Sequence, residues 1–119
     1  MKKKILKIIN FKNKKPLVCL TAYSKPIAKI LDKYCDIVLV GDSVATAMYG
    51  KKNTHQITLD TMIEHGLSVK SNLSTALCVV DMPINSYRTI KEGKKNAMLI
   101  FKKTKCDAVK VECNGKNFK

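Results

Sequence analysis

Two periods of apolar residues alternate along this chain. Short runs rich in β-branched residues, LVCLTA (17–22), IVLVGD (37–42), ALCVVD (76–81) and DAVKVE (107–112), predict four strands. The segments between them carry helical spacing. In SKPIAKILDKY (24–34), Ile27, Ile30 and Leu31 share a face, Ser24 can cap and Pro26 is tolerated in the first turn. Leu59, Met62, Ile63 and Leu67 predict a second helix over 59–71 with Thr58 as its cap. A third spans 90–105, where Thr89 and Glu92 have capping-box spacing and Ile90, Ala97, Leu99, Ile100 and Phe101 are the expected core contacts. Residues 43–56 have no period and contain Gly50, so they read as a long loop; the final CNGKNFK carries no pattern.

The resulting order, β-α-β-α-β-α-β, belongs to the α/β class. Strands that are apolar along their whole length suit a parallel sheet covered on both faces. Four strands with three crossovers make half of an eight-stranded α/β barrel, and a small open sheet also fits the pattern. Residues 1–15 read as a basic, amphipathic lead-in and 16–119 as a partial barrel domain. A half barrel has two strand edges with unpaired backbone groups, which predicts dimerisation, recruitment of a second half, or a poorly folded chain.

Composition narrows this picture only a little. The chain has 119 residues, enough for one domain, and 45% of them are hydrophobic, enough for a core. The formal net charge of +14 raises the question of nucleic acid, but only Arg88 among the 23 basic residues is an arginine, and no aromatics are interleaved with the lysines. A surface rich in lysine accounts for the charge, so nucleic acid is not the expected partner. Cys19, Cys35, Cys78, Cys106 and Cys113 form no CxxC pair and are odd in number, which predicts free thiols and a reducing, cytoplasmic setting. The opening MKKKILKIINFKNKK is interrupted by Lys7 and followed by no small-residue cleavage site, unlike a secretory leader, and no stretch is apolar for long enough to span a bilayer.

The candidate chemistry lies at the strand ends. Strand two ends in Gly41, Asp42 and Ser43, strand three in Asp81, and strand four carries Lys110 and Glu112. Alternation along strand four turns Val109 and Val111 towards the helices, leaving Lys110 and Glu112 on the other face near Asp42 and Asp81. The carboxyl ends of parallel strands lie on one side of the sheet, where binding sites collect. Asp42, Asp81 and Glu112 would repel one another there unless a hard cation such as Mg²⁺ joined them, while Lys110 would face a substrate carboxylate. Taken singly, an aspartate after a strand is most often a turn former or a cap. His65 reads as a packed or capping residue, His55 has no obvious partner, and Tyr23 and Ser43 are hydrogen bonders or plain turn residues.

The segments TAYSKPIAKILDKYCDIVLVGDSVATAMYG, QITLDTMIEHGLSVK, VVDMPINSY and CDAVKVE, in this order, resemble the amino-terminal half of the ketopantoate hydroxymethyltransferase family over about residues 16–113. The resemblance implies a (β/α)8 barrel of the TIM-barrel type, truncated here to about the first four strands and three helices. It implies hydroxymethyl transfer from 5,10-methylenetetrahydrofolate to 3-methyl-2-oxobutanoate, giving 2-dehydropantoate for pantothenate and coenzyme A synthesis. The expected ligands are therefore the keto acid, the folate co-substrate and Mg²⁺, in a cytoplasmic homo-oligomer. Carried over by motif, Asp42, Asp81 and Glu112 would serve the metal, and Asp42, Ser43, Asp81 and Lys110 the keto acid. The family's general base would lie beyond residue 119, so no catalytic base is expected in this chain and activity of the chain alone is in question. The sequence departs from the family pattern at Ser24, where the family has aspartate, and at Ile84 and Asn85, where it has aromatic or glycine residues. Those departures bear on a loop hydrogen bond and on loop packing or the folate contact. A non-catalytic basic remnant that binds RNA or acidic partners is the alternative reading.

Overall fold

The computed structural model describes residues 2–112. Helix α1 (Lys2–Ile9) leads into strand β1 (Cys19–Thr21), followed by α2 (Lys25–Leu31), β2 (Ile37–Val40), α3 (Val44–Ala47) and α4 (Leu59–Lys70). Strand β3 (Leu77–Asp81), a 3₁₀ turn at Ile84–Ser86, α5 (Ile90–Thr104) and β4 (Ala108–Lys110) complete the described chain. The strands form one parallel sheet in the order β1-β2-β3-β4, with Val38 opposite Cys78, Val80 opposite Val109 and Asp81 opposite Lys110. Sequential parallel strands linked by helices are the connectivity of a (β/α)8 barrel, here represented by four strands.

Period two explains how the sheet is used. Val38 and Val40 of β2 and Cys78 and Val80 of β3 are fully buried under the helices, where they meet Ala28, Met62, Val69 and Ile100. Each such aliphatic side chain contributes about 1.5–3 kcal/mol by leaving water. The opposite face carries Ile37, Leu39 and Val79, which are only half-buried. In a closed barrel that face lines the lumen, so it is not packed by helices as the uniformly apolar runs suggested.

The helix caps follow the sequence. Thr58 accepts the Thr61 amide at 3.2 Å and Thr89 accepts the Glu92 amide at 3.1 Å. Ser24 occupies the cap position of α2 but makes no side-chain cap bond. The buried stripes are shifted from those expected. In α2 the face towards the sheet is centred on Ala28, leaving Ile27 and Ile30 exposed. In α4 it runs through Met62, Gly66 and Val69, so Leu67 faces outwards. Ile90, at the mouth of α5, is also exposed, whereas Ile100 is fully buried. Gly66 permits a close helix approach, because a Cβ there would lie 2.8 Å from Thr104 Cγ2 and 3.3 Å from Val80 Cγ2.

Two helices were not anticipated. The expected loop 43–56 begins with the single turn of α3, and the basic lead-in folds as α1 near the entry ends of the strands. There Lys4 Nζ donates to the Ala76 carbonyl at 3.0 Å, and Lys15 lies 3.8 Å from both Asp36 Oδ1 and the Phe11 ring centre. Cys35, Cys78 and Cys106 are buried free thiols and Cys19 an exposed one, while Cys113 falls outside the described residues. Burial pushes the Cys78 thiol up to about 12, so it packs as a small hydrophobe.

Candidate functional site

The carboxyl ends of the four strands bring the expected polar residues to one rim. Because Asp81 and Lys110 are register partners, their side chains leave the sheet on the same face, and Lys110 Nζ lies 2.8 Å from Asp81 Oδ1. From the turn after β2, the Asp42 amide donates to Asp81 Oδ2 at 3.2 Å. The Asp81 side chain is only 6% exposed, and its buried Oδ1 meets the Lys110 ammonium alone. One buried carboxylate oxygen is thus paired by charge but has no directed hydrogen bond.

Burial raises the Asp81 carboxyl above its ordinary value, and Lys110 and the Asp42 amide only partly oppose this. Burial disfavours the Lys110 charge as well, but Asp81, then Glu112 and Asp42, outweigh it and hold the ammonium above its usual range. Glu112 Oε1 is 3.6 Å from Lys110 Nζ, and its side chain is 72% exposed. Tyr87 stands nearby, its phenol raised by burial and by the Glu112 charge.

The three carboxylates expected to gather around one cation are not assembled. Among the described residues no group of three or more His, Cys, Asp or Glu side chains is placed to hold a metal ion. Lys110 lies between Asp81 and Glu112, so an ammonium relieves the repulsion that the sequence reading assigned to a metal. Asp42 and Asp81 remain as hard oxygen donors of the kind a divalent cation takes. Asp81 Oδ1 is buried and already faces Lys110 Nζ at 2.8 Å, so a cation taken up there would displace that ammonium.

Ser43 completes the rim. It occupies the cap position of α3 but makes no cap bond, and its Oγ lies 2.7 Å from the Tyr23 hydroxyl. Gly41 leaves the space they need: a Cβ there would come within 2.8 Å of Ser43 Oγ and 3.7 Å of Asp81 Oδ2. Behind Tyr23 stands His65, whose Nδ1 is 2.7 Å from the Tyr23 carbonyl and whose Nε2 is 2.8 Å from the Tyr49 hydroxyl. His65 and Tyr49 gave no usable signal in the sequence, since one lies off the apolar stripe of α4 and the other in a segment without period. His55 takes part only through its backbone, which accepts a long 3.5 Å contact from Asn85 Nδ2, while Ile84 beside it is exposed.

With this geometry established, comparison with known proteins places it. The ketopantoate hydroxymethyltransferase family profile matches residues 2–119. Among curated relatives, the 3-methyl-2-oxobutanoate hydroxymethyltransferase of Pelagibacter ubique is 54% identical over 112 residues, 94% of this chain and 44% of the relative. The proteins of the same name from Rhizobium etli and Anaplasma marginale are 49% and 50% identical, covering 89% and 91% of this chain. The chain spans 39% and 40% of those two proteins, well under half their length.

Proposed function

Taking as premise that the chain belongs to the ketopantoate hydroxymethyltransferase family, we propose that it carries the keto-acid and metal half of that family's site. The reaction is hydroxymethyl transfer from 5,10-methylenetetrahydrofolate to 3-methyl-2-oxobutanoate, giving 2-dehydropantoate. The observation that carries this reading is the rim pair itself: a buried Asp81 held by the Asp42 amide on one oxygen and by the Lys110 ammonium on the other.

Asp42 and Asp81 would hold Mg²⁺, with Glu112 at the outer edge through its contact with Lys110. Bound there, the ion supplies a positive charge against which negative charge on the keto oxygen can develop. Lys110 offers its ammonium to the substrate carboxylate; as a point charge on a flexible stem it can leave Asp81 for the ligand without leaving the rim. Ser43 contributes a hydroxyl to the same oxygens, and Gly41 keeps the space above Asp81 clear. No base role is assigned to any residue among those described; the residues named here bind and polarise the keto acid.

Titration calorimetry of Mg²⁺ and 3-methyl-2-oxobutanoate tests the reading. Wild type is expected to give saturable heat that Asp42→Ala and Asp81→Ala lose. Equal heats from all three proteins would remove it, and strongly salt-dependent retention of RNA in place of keto-acid binding would favour a basic binding module.

A further inference from the structure

Ser43 is held through Tyr23, at the end of β1, by residues of helix α4 and of the segment after α3. A serine at a helix cap ordinarily gives its oxygen to an amide of the first turn. Ser43 does not; its Oγ meets the Tyr23 hydroxyl at 2.7 Å. Tyr23 in turn is fixed through its backbone. Its carbonyl can only accept, so the 2.7 Å contact with His65 places the imidazole hydrogen on Nδ1. In the neutral ring Nε2 then accepts from the Tyr49 hydroxyl, 2.8 Å away. Both tyrosine rings meet the imidazole edge-on, at centroid distances of 6.4 Å and 5.8 Å. One ring thus joins the end of β1, the segment after α3 and helix α4.

We propose that His65 is a positioning residue: by clamping the Tyr23 carbonyl it sets the Tyr23 hydroxyl against Ser43 Oγ, which aims the Ser43 O–H over Gly41 towards a ligand at Asp81. Tyr23, the more acidic hydroxyl, donates to Ser43, and Ser43 keeps its own hydrogen for a substrate oxygen. Hydrogen bonds chained in this way polarise one another and leave the last donor stronger than an isolated serine. The inference deepens the keto-acid reading and rests on it for the identity of the ligand.

The two ring nitrogens can be tested separately in the full chain. In His65→Asn the side-chain amide nitrogen falls near the place of Nδ1 and can still donate to the Tyr23 carbonyl. In His65→Gln the polar atoms reach towards Tyr49 instead. Two readouts serve: the backbone amide resonances of Ser43 and Val44 without ligand, and the calorimetric affinity for 3-methyl-2-oxobutanoate with Mg²⁺. Tyr23→Phe and His65→Gln are expected to shift both resonances and to weaken the keto acid roughly fivefold, the size of one hydrogen bond. His65→Asn is expected to stay close to wild type in both. A Gln variant that behaves as wild type, or an Asn variant no better than Gln, overturns the proposal. If wild type itself takes up no keto acid, the proposed function fails, and the amide resonances still decide whether His65 positions Ser43.

Discussion

An aspartate–lysine ion pair lies near each end of the β3–β4 pairing, and the two pairs differ in how fully they are satisfied. At the entry end, Asp107 Oδ2 accepts Lys70 Nζ at 2.6 Å and the Cys78 amide at 2.9 Å, with the two side chains 3% and 18% exposed. At the exit end, Asp81 meets Lys110 at 2.8 Å, but the lysine is 40% exposed and the facing carboxylate oxygen has no directed hydrogen bond. The same two residue types therefore make a closed fastening at one end and an open, partly bonded site at the other. The neighbouring acids divide in the same way. Asp32 accepts the amides of Ser74, Thr75 and Ala76, and Asp36 accepts that of Val18, whereas the Asp42 side chain at the rim enters no hydrogen bond among the described residues.

The largest expected effect tests the entry end. Asp107→Ala leaves the Cys78 amide without its acceptor and Lys70 half-buried without its partner, and should cost about 2–4 kcal/mol in urea unfolding. A loss below about 1 kcal/mol would put the two ends on the same footing. Asp81→Asn is the matching change at the rim. Its amide oxygen can still accept from Asp42, and Lys110 can turn to Glu112 and water, so stability should move by no more than about 1 kcal/mol. The Mg²⁺ and keto-acid heats should disappear in that variant. A stability loss as large as that of Asp107→Ala, with the heats unchanged, would reverse the assignment of the two ends.

Acid titration separates the ends by sign. Burial would raise the Asp32 carboxyl, but the amides of Ala76, Ser74 and Thr75 hold it below its ordinary value. Its contribution is therefore present above the unfolded carboxylate value and is lost as pH falls through the folded one. Asp81 is shifted upwards by burial, so the folded state takes up its proton first and gains stability on acidification. Unfolding temperatures followed from about pH 6 to about pH 2 should show a shallower acid loss in Asp32→Asn than in wild type and a steeper one in Asp81→Asn. Parallel curves for the three proteins would count against the contrast.

The rim was more legible in the sequence than the entry end, for a physical reason. Asp42, Asp81 and Lys110 close apolar runs, and a polar residue that interrupts a buried strand stands out against period two. Asp32 and Lys70 lie within helix-forming patterns and Asp36 and Asp107 in the turns before strands, where a charged residue is unremarkable. The three aspartates take backbone amides some 18 to 44 residues away in sequence, a pairing that no local period records. The strands were placed correctly but drawn too long, since Asp42 and Asp107 belong to turns. Charge repulsion and the family motif both suggest three carboxylates on one cation, whereas among the described residues Lys110 lies between Asp81 and Glu112. His65 and Tyr49 were hidden because their hydrogen bonds join elements whose contact only the fold creates.

The smallest expected change in stability sharpens the contrast most finely. At Gly41 an added Cβ would meet Ser43 Oγ at 2.8 Å, with nothing else closer than 3.7 Å. A serine hydroxyl on the half-exposed rim can rotate to another staggered position, so Gly41→Ala should cost about 1 kcal/mol or less in unfolding free energy. Rotation takes Oγ away from the Tyr23 hydroxyl and places a methyl group beside Asp81 Oδ2, where the keto acid is proposed to lie. The variant should therefore unfold close to wild type in urea and bind 3-methyl-2-oxobutanoate several-fold more weakly by calorimetry, with Ser43→Ala adding little further loss. Full additivity of the two substitutions would show that the space above Gly41 and the direction of the Ser43 hydroxyl are unrelated, and would detach Ser43 from the rim.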